Sequence, residues 1–401
     1  MKNQKIALAF SGGLDTSVMM RWLQENFNAE IVTVTGDLGQ EKELVGVREK
    51  AFELGAKAAY FVDLTQEFVT DFVWHSLKAG ALYEGIYPMG TALGRPLLAK
   101  ALVDAARKEG CTVVAHGCTG KGNDQVRFEA GVAALAPDLQ VIAPVRHWEF
   151  KSREQEIEYC VARGIKVNAT KASPYSIDEN IWGTSIECGV LEDPTVAPPE
   201  DAYQRTVSPQ AAPDSPESVT IAFENGIPVE VNFKKLGGVD VLKTLNVIAG
   251  RNAIGRIDLI ENRLVGIKSR EVYEAPAAFV LQAALTELER LTLDRYTVRI
   301  KHQLASQYAD LVYNGLWYTP ARAAIDAFND EVAKRLSGEV TLSLYKGNMN
   351  VLSRTSQFSL YDQALASYTE EDTYDHRAGE GFSKVHSLPL KVMGATQGYL
   401  V

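Results

Sequence analysis

Cysteine is scarce in this 401-residue chain: four in all, Cys111, Cys118, Cys160 and Cys188, with no Cys-x-x-Cys pair among them, and the six histidines are scattered. That thin supply argues against a zinc site, a protein-borne metal or a disulfide framework, and makes a reducing cytoplasm the expected compartment. No run of ~18 apolar residues occurs, so no membrane span is expected. Met1-Lys2-Asn3-Gln4 leads directly into a strand-like stretch, so no signal or transit peptide is expected there. Net positive charge is also lacking: 41 Lys+Arg against 51 Asp+Glu leave −10. A large nucleic-acid footprint needs clustered cations and is disfavoured, although one locally basic pocket is not. No Gly-x-x-x-x-Gly-Lys-Ser/Thr motif, internal repeat or low-complexity tract is found. What remains is ordinary for a soluble globular protein, 46% hydrophobic and 23% charged, and long enough for two or three domains.

The most telling segment is Ser11-Gly12-Gly13-Leu14-Asp15-Thr16-Ser17. It follows the apolar run Ile6–Phe10 and precedes a helical pattern at Val18, Met19, Trp22 and Leu23, so it reads as strand, glycine turn, helix start. Glycines allow close backbone approach, and first-turn N–H groups lack intrahelical partners, so an anion fits there. Three hydroxyls, on Ser11, Thr16 and Ser17, add donors. Without a Walker lysine the loop suits holding a β,γ-pyrophosphate as leaving group while chemistry happens at the α-phosphate.

Residues 1–168 alternate strand and helix. Strands are expected at Ile6–Phe10, Ile31–Thr35, Ala58–Val62, Thr112–Ala115 and Val141–Ala143, with helices at Glu43–Leu54, Pro96–Lys108 and Ser152–Arg163. This predicts an α/β fold with a parallel, doubly wound, Rossmann-like sheet covered on both faces, and ligands beyond the strands' carboxyl ends. A second, α+β domain is expected over 169–366. Its proline-rich passage 192–218 wraps a surface or bridges domains. Strands follow at Ser218–Phe223 and Pro228–Phe233, helices at Gly238–Ala249, Ala277–Thr292, His302–Tyr313 and Pro320–Leu336, and a hairpin at Val340–Tyr345 and Met349–Ser353. Residues 367–401 are expected to form a loop-rich tail ending in the apolar stretch Leu388–Val392, which docks on something, a neighbouring subunit included.

Other polar segments stand where ligands would bind. Thr35-Gly36-Asp37-Leu38-Gly39-Gln40 follows the second strand, as a polar turn or an adenosine contact at Gly36. His116 to Arg127 follows the fourth, with three glycines among His, Lys, Asn, Asp and Arg, a loop that can present several polar groups to a ligand. Pro174–Asn180 with Gly183–Glu187, and Arg256–Arg263 with Lys268–Tyr273, each read alone as surface polarity, since charge runs usually mark solvated faces.

Taken together these segments closely resemble the argininosuccinate synthase family, of the bacterial type, over essentially the whole chain. The matching stretches are Ser11–Ser17, Tyr83–Tyr87, the loop 116–127, Gly189–Pro194, Glu261–Arg263 and Leu344–Asn348. The first identifies only a superfamily of ATP enzymes that cleave at the α-phosphate; the loop and Glu261-Asn262-Arg263 are far more specific. The resemblance implies a cytoplasmic ligase joining L-citrulline to L-aspartate with ATP, releasing AMP and pyrophosphate through a citrullyl-adenylate, in arginine biosynthesis. It also implies Mg²⁺ carried on the nucleotide and a homotetramer with interlocking C-terminal arms, with no nucleic-acid or membrane partner.

Position by position, the resemblance places ATP on Ala9, Phe10, Ser11, Gly12, Gly13, Leu14, Asp15, Thr16, Ser17, Gly36 and Gly117. It places aspartate on Thr119, Asn123 and Asp124. Citrulline falls to Tyr87, Asn123, Arg127, Ser176, Ser185, Glu261 and Tyr273. Asp15 and Asp124 are the candidate catalytic residues, Asp124 as orienter or proton acceptor for the amine of aspartate. Cys118 reads as a spectating thiol. The chain departs from the family pattern at Ala92, where a serine hydroxyl is usual, at Gly36 for alanine and at Cys188 for glycine. Two rivals are a related ATP enzyme that adenylates RNA for thiolation, which would want a basic surface and paired cysteines, and a non-catalytic nucleotide-binding scaffold, which would leave the polar groups at 119–127 and 261–273 without purpose.

Overall fold

Short apolar strands joined by helices can bury both faces only in a parallel sheet, and the five runs of the first half do so. The computed structural model describes residues 4–40, 44–166 and 175–398. Strands β1 (Gln4–Ala9), β2 (Ala29–Asp37), β3 (Ala58–Asp63), β4 (Val113–Ala115) and β5 (Gln140–Ile142) pair wholly in parallel in the order β3-β2-β1-β4-β5. Side chains alternate between two cores: Ala7 and Val32 pack on one face, Ile6, Leu8 and Ile31 on the other. The strand order reverses between β1 and β4, so the loops leaving those strands diverge and open a crevice at their carboxyl ends. Both strongest motifs leave from there.

Two helices beside this sheet differ from expectation. The one expected at Glu43–Leu54 spans Val47–Glu53; Glu43 lies outside the described residues, and Gly46, with φ +76°, stops the helix from running back. The one expected from Pro96 spans Gly90–Glu109 with Pro96 inside it. Proline is a common first helical residue, which makes it look like a start. Here burial of Gly90, Ala92, Leu93 and Gly94 carries the helix back past it. The helix Arg153–Ala162 starts at its cap, Ser152, as expected.

Beyond this sheet come β6 (Ser176–Glu179), β7 (Thr184–Glu187), β8 (Glu217–Glu224), β9 (Ile227–Val231), β10 (Lys234–Lys235), β11 (Arg256–Asn262), β12 (Lys268–Glu274), β13 (Gly338–Tyr345) and β14 (Asn348–Thr355). They form two antiparallel sheets, β10-β9-β8-β13-β14 and β11-β12-β7-β6. The charged stretches 256–263 and 268–273, ambiguous from sequence, are thus a hairpin. Helices Gly238–Arg251, Pro276–Thr292, Arg295–Tyr313 and Pro320–Ala333 pack with them. The third begins seven residues before His302, because the Asp294 carboxylate accepts from the Tyr296 and Thr297 N–H groups (2.9 and 3.2 Å) and caps it there.

Met1–Phe358 make one compact unit and Ser359–Val401 a second. The expected boundary at 168/169 falls outside the described residues. The second unit corrects the loop-rich tail: it holds helices Gln363–Ala366, His376–His386 and Leu388–Gln397. Asp362 and Asp375 cap the first two, so Asp375, within the acidic stretch read as loop, is a helix start. Phe382, Val385, Leu388, Leu390 and Val392 are exposed.

Candidate active site

The turn after β1 is open on its ligand side: Ser11, Gly13 and Asp15 are exposed while Thr16 and Ser17 are buried behind them. Gly12 has φ +78°, and a Cβ there would meet the Val47 side chain at 3.0 Å, so glycine is required twice over. The helix Leu14–Phe27 begins after Gly13 with no side-chain cap, leaving its first-turn N–H groups for an anion. The Ser17 hydroxyl donates to the Gly13 carbonyl (2.7 Å), and Ser11 and Thr16 hydroxyls lie 3.2 Å apart. Lys50, unassigned from sequence, donates to the Gly12 carbonyl at 2.5 Å and clamps the turn from outside. Ala9 ends β1, and the carbonyl of buried Phe10 accepts from the Thr35 hydroxyl at 2.6 Å. Gly36 is buried under Leu98 and Leu64, with no room for the usual alanine methyl unless they shift. Beside Asp15, burial and the Asp15 carboxyl push Glu156 up to about 8.

The glycine loop is held from beneath by His116, whose Nδ1 accepts the Cys118 N–H at 3.2 Å. Burial, with Arg146 adding to it, pushes this imidazole down to about 4, so it is neutral at pH 7. Burial pushes the Cys118 thiol up to about 12, which leaves it protonated and unreactive. At Gly117 a Cβ would lie 3.3 Å from Met19 and 3.4 Å from Thr16, so this loop and the nucleotide helix touch.

Asp124 opens the helix Asp124–Leu135 and takes Arg127 at 2.9 Å and Arg95 at 2.8 Å; Arg95 also reaches Asp178. Burial pushes the Asp124 carboxyl up, but the two guanidinium groups outweigh it and hold it at about 2. Arg127 is 4% exposed and its Nη2 has no hydrogen-bond partner, a buried donor that suits an anionic group of a ligand.

The remaining residues come from the antiparallel sheet. Cross-strand partners share a face, and the register sets Ser185 opposite both Asp178 and Tyr273, and Ser176 opposite Glu187. Glu261, 2% exposed, accepts from Tyr273 at 2.7 Å and from Tyr313. Tyr313 in turn accepts from the Asn123 amide at 2.7 Å, and its carbonyl takes the Arg127 Nε at 2.8 Å. Burial raises the Glu261 carboxyl while both phenols pull it back. Tyr87 stacks on Tyr273 at 3.7 Å and meets the Thr91 hydroxyl at 3.1 Å, whereas Ala92 is fully buried.

Tyr87, Asn123, Asp124, Arg127, Ser185, Glu261 and Tyr273 therefore converge. Thr119 and Asp15 line one cavity between the two loops. Ser176 sits exposed at the start of β6. Sequence reasoning missed Arg95, Asp178, Tyr313 and Lys50. Asp178 stood inside the segment Pro174–Asn180 without a role; Arg95 and Lys50 within helices and Tyr313 at a helix end carry no local signal.

A parallel sheet, an uncapped glycine turn and no Walker lysine define the class: a HUP-type nucleotide domain that works on the α-phosphate of ATP, joined to a buried polar pocket. The description "Arginosuccinate synthase N-terminal HUP domain" matches residues 5–166, and "Arginosuccinate synthase C-terminal domain" matches 175–393. The chain is 58% identical over 391 residues to the argininosuccinate synthase of Chlorobium luteolum, 98% of each chain, and 58% over 392 residues to that of Chlorobaculum tepidum, again 98% of each. The chain belongs to the argininosuccinate synthase family, and it is a C–N ligase of arginine biosynthesis that condenses citrulline and aspartate at the expense of ATP. Membership sets aside the RNA-thiolation and scaffold readings.

Proposed function

We propose the following division of labour for that reaction. Residues 9–17, Gly36 and Gly117 hold ATP, with its diphosphate against the N–H groups of residues 12–17. Tyr87, Asn123, Arg127, Ser176, Ser185, Glu261 and Tyr273 hold citrulline, its ammonium on Glu261 and its carboxylate toward Arg127. Thr119, Asn123 and Asp124 hold aspartate. The observation that carries this reading is that one loop, 116–127, touches the nucleotide helix at Gly117 and the Glu261 network at Asn123.

The ureido oxygen of citrulline is a weak nucleophile and its carbon a poor electrophile. Attack of that oxygen on the α-phosphorus makes it an adenylyl leaving group, and the growing charge on pyrophosphate meets the loop N–H groups and hydroxyls. The aspartate amine then attacks the activated carbon and AMP departs. With a carboxyl held at about 2, Asp124 stays ionised and is a weak base. It orients the amine through hydrogen bonds to its N–H groups; lasting proton removal falls to a stronger base or to solvent. Holding three reactants together supplies a large share of the acceleration, a contribution that reaches about 7–11 kcal/mol.

Mg²⁺ fits beside the loop: Asp15 and Glu156 are hard oxygen donors there, and Glu156 Oε2 is buried without a partner. Those two residues would hold the ion, which supplies charge neutralisation on the phosphates when bound. The exposed apolar side chains of 382–392 support an assembly in which the tail of one copy lies on another; we read that assembly as a homotetramer of the cytoplasm, on the family resemblance alone. We read 1–168, 169–366 and 367–401 as nucleotide, synthetase and oligomerisation regions. Citrulline labelled with ¹⁸O in its ureido group tests the chemistry: label in AMP is expected, and label in pyrophosphate, orthophosphate or water instead would overturn it. Removal of residues 359–401 should lower the mass seen by light scattering.

A further inference from the structure

Three carbonyls stand in a row in the glycine loop, those of Gly120, Lys121 and Gly122, and each accepts a hydrogen bond from a side chain. Gln125, in the helix that follows, donates to the first and third at 2.6 and 3.1 Å. The middle one accepts from Arg263 Nη1 at 3.2 Å, across 142 positions of sequence. Beside it the Leu264 N–H donates to the Asn123 amide oxygen at 2.9 Å. Glycines on both sides of Lys121 leave this backbone many conformations, so contacts from the turn between β11 and β12 select one.

Arg263 is suited to that task. Its own N–H closes the turn on the Ile267 carbonyl at 2.8 Å. Its Nε donates to the Ser269 hydroxyl at 2.6 Å, and its Nη2 to Glu187 at 2.7 Å and to Glu271. A hydroxyl and two carboxylates thus fix the plane of the guanidinium independently of the loop, and a rigid fork keeps Nη1 aimed at Lys121. The preceding residue, Asn262, holds a different segment: its carbonyl accepts from the Tyr83 hydroxyl at 2.6 Å, and its N–H donates to Glu84 at 3.1 Å.

We propose that Arg263 is a positioning residue for the second half of the reaction. Without touching a substrate, it sets the loop backbone at Lys121 so that Thr119, Asn123 and Asp124 present their polar atoms to aspartate. The inference rests on the assignment of aspartate to this loop. The segment that leads to Tyr87 hangs on Asn262 instead, so adenylylation of citrulline is spared when Arg263 is altered.

Arg263→Lys in the full-length enzyme tests it. A lysine ammonium still neutralises Glu187 and Glu271, but as a point donor it cannot serve them and the Lys121 carbonyl together. KM for aspartate should rise about tenfold, the size of losing one hydrogen bond from a charged donor. KM for citrulline should stay near that of the unaltered enzyme. So should the citrulline-dependent exchange of labelled pyrophosphate into ATP, which needs no aspartate. Amide hydrogen exchange over residues 117–123 should quicken. The double variant Arg263→Met/Glu271→Gln removes the guanidinium together with one buried carboxylate, while Glu187, 39% exposed, keeps water as its partner. It should show the same split. Unchanged aspartate KM and unchanged amide exchange in both variants would overturn the positioning role. Equal rises in KM for aspartate and citrulline, the mark of a merely structural residue, would overturn it too. Faster amide exchange with an unchanged aspartate KM would remove the assignment of aspartate to the loop, and the inference with it.

Discussion

At the nucleotide turn, Ser11, Gly13 and Asp15 stand exposed and the hydroxyl contacts run to residues at most five positions away. In the pocket proposed for the amino acids, Asn123, Arg127, Glu261, Tyr273 and Tyr313 are buried, and Asn123 meets Tyr313 across 190 positions of sequence. The first region offers an anion local backbone donors that water can also serve. The second commits ionised groups to a water-poor interior, where each must be satisfied by others brought from far along the chain. Damage should therefore be graded at the turn and severe in the pocket.

The sharpest break of that contrast is Glu261→Ala, which strands two buried phenols and removes the charge proposed to meet the substrate ammonium. At about 1.5–3 kcal/mol per hydrogen bond to a charged group, kcat/KM for citrulline should fall about a thousandfold, with ATP binding kept. Steady-state kinetics beside calorimetry check this. Asp124→Asn comes next: single-turnover rapid quench should resolve normal ATP binding and a second step slowed roughly a hundredfold, the size of losing one oriented polar group. Equal loss in both measurements would refute an orienting role.

Tyr313→Phe keeps the stack on Tyr83 (3.5 Å) but removes one donor to Glu261. KM for citrulline should rise about tenfold. Because that donor lowers the Glu261 pKa, its loss should move the acid limb of kcat/KM to higher pH. A purely structural role would lower the melting temperature and leave the limb in place.

His116 sharpens the comparison from beneath the loop that joins both regions. Its folded pKa of about 4 lies below the ordinary 6.5, so the unfolded chain takes up a proton first as pH falls. Stability is thus full above about 6.5 and is lost by about 2–3 kcal/mol on descent toward 4. Glu129 at 3.4 Å, Arg146 and Asp124 are the charged groups around it. Denaturant melts of His116→Gln should show a flatter slope across that interval.

The smallest effect is a gain. Cys188 stands where the family commonly has glycine and adopts φ 77°, ψ 174°, a region nearly confined to glycine. Cys188→Gly should relieve about 1–3 kcal/mol of strain against about 0.5–1 kcal/mol of extra chain entropy. Calorimetry should record a melting temperature higher by a degree or two, since shifts shrink as chains lengthen.

Legibility in the sequence followed the same divide. The parallel sheet could be read because Ile6–Phe10, Ile31–Thr35 and their fellows are apolar runs with turn-like flanks, a signal contained within each segment. Ser11–Ser17 was equally local. The hairpin 256–274 could not be told from solvated charge by its residues alone, because Arg263, Glu271 and Glu187 neutralise one another only after β7 and β12 pair. Tyr313 and Arg95 stayed hidden for the same reason, and the family resemblance, not periodicity, supplied Glu261 and Tyr273. The tail was misjudged because an aspartate such as Asp375 signals helix starts and loops alike.

Residues 116–127 touch both regions, with Gly117 against Thr16 and Asn123 against Tyr313. A recombinant that swapped in a foreign first half would import a loop tuned to another acceptor, and one that swapped the second would strand this loop without its correspondents. Inheritance of this enzyme is accordingly all or nothing across that seam, and laboratory shuffling should favour crossovers elsewhere.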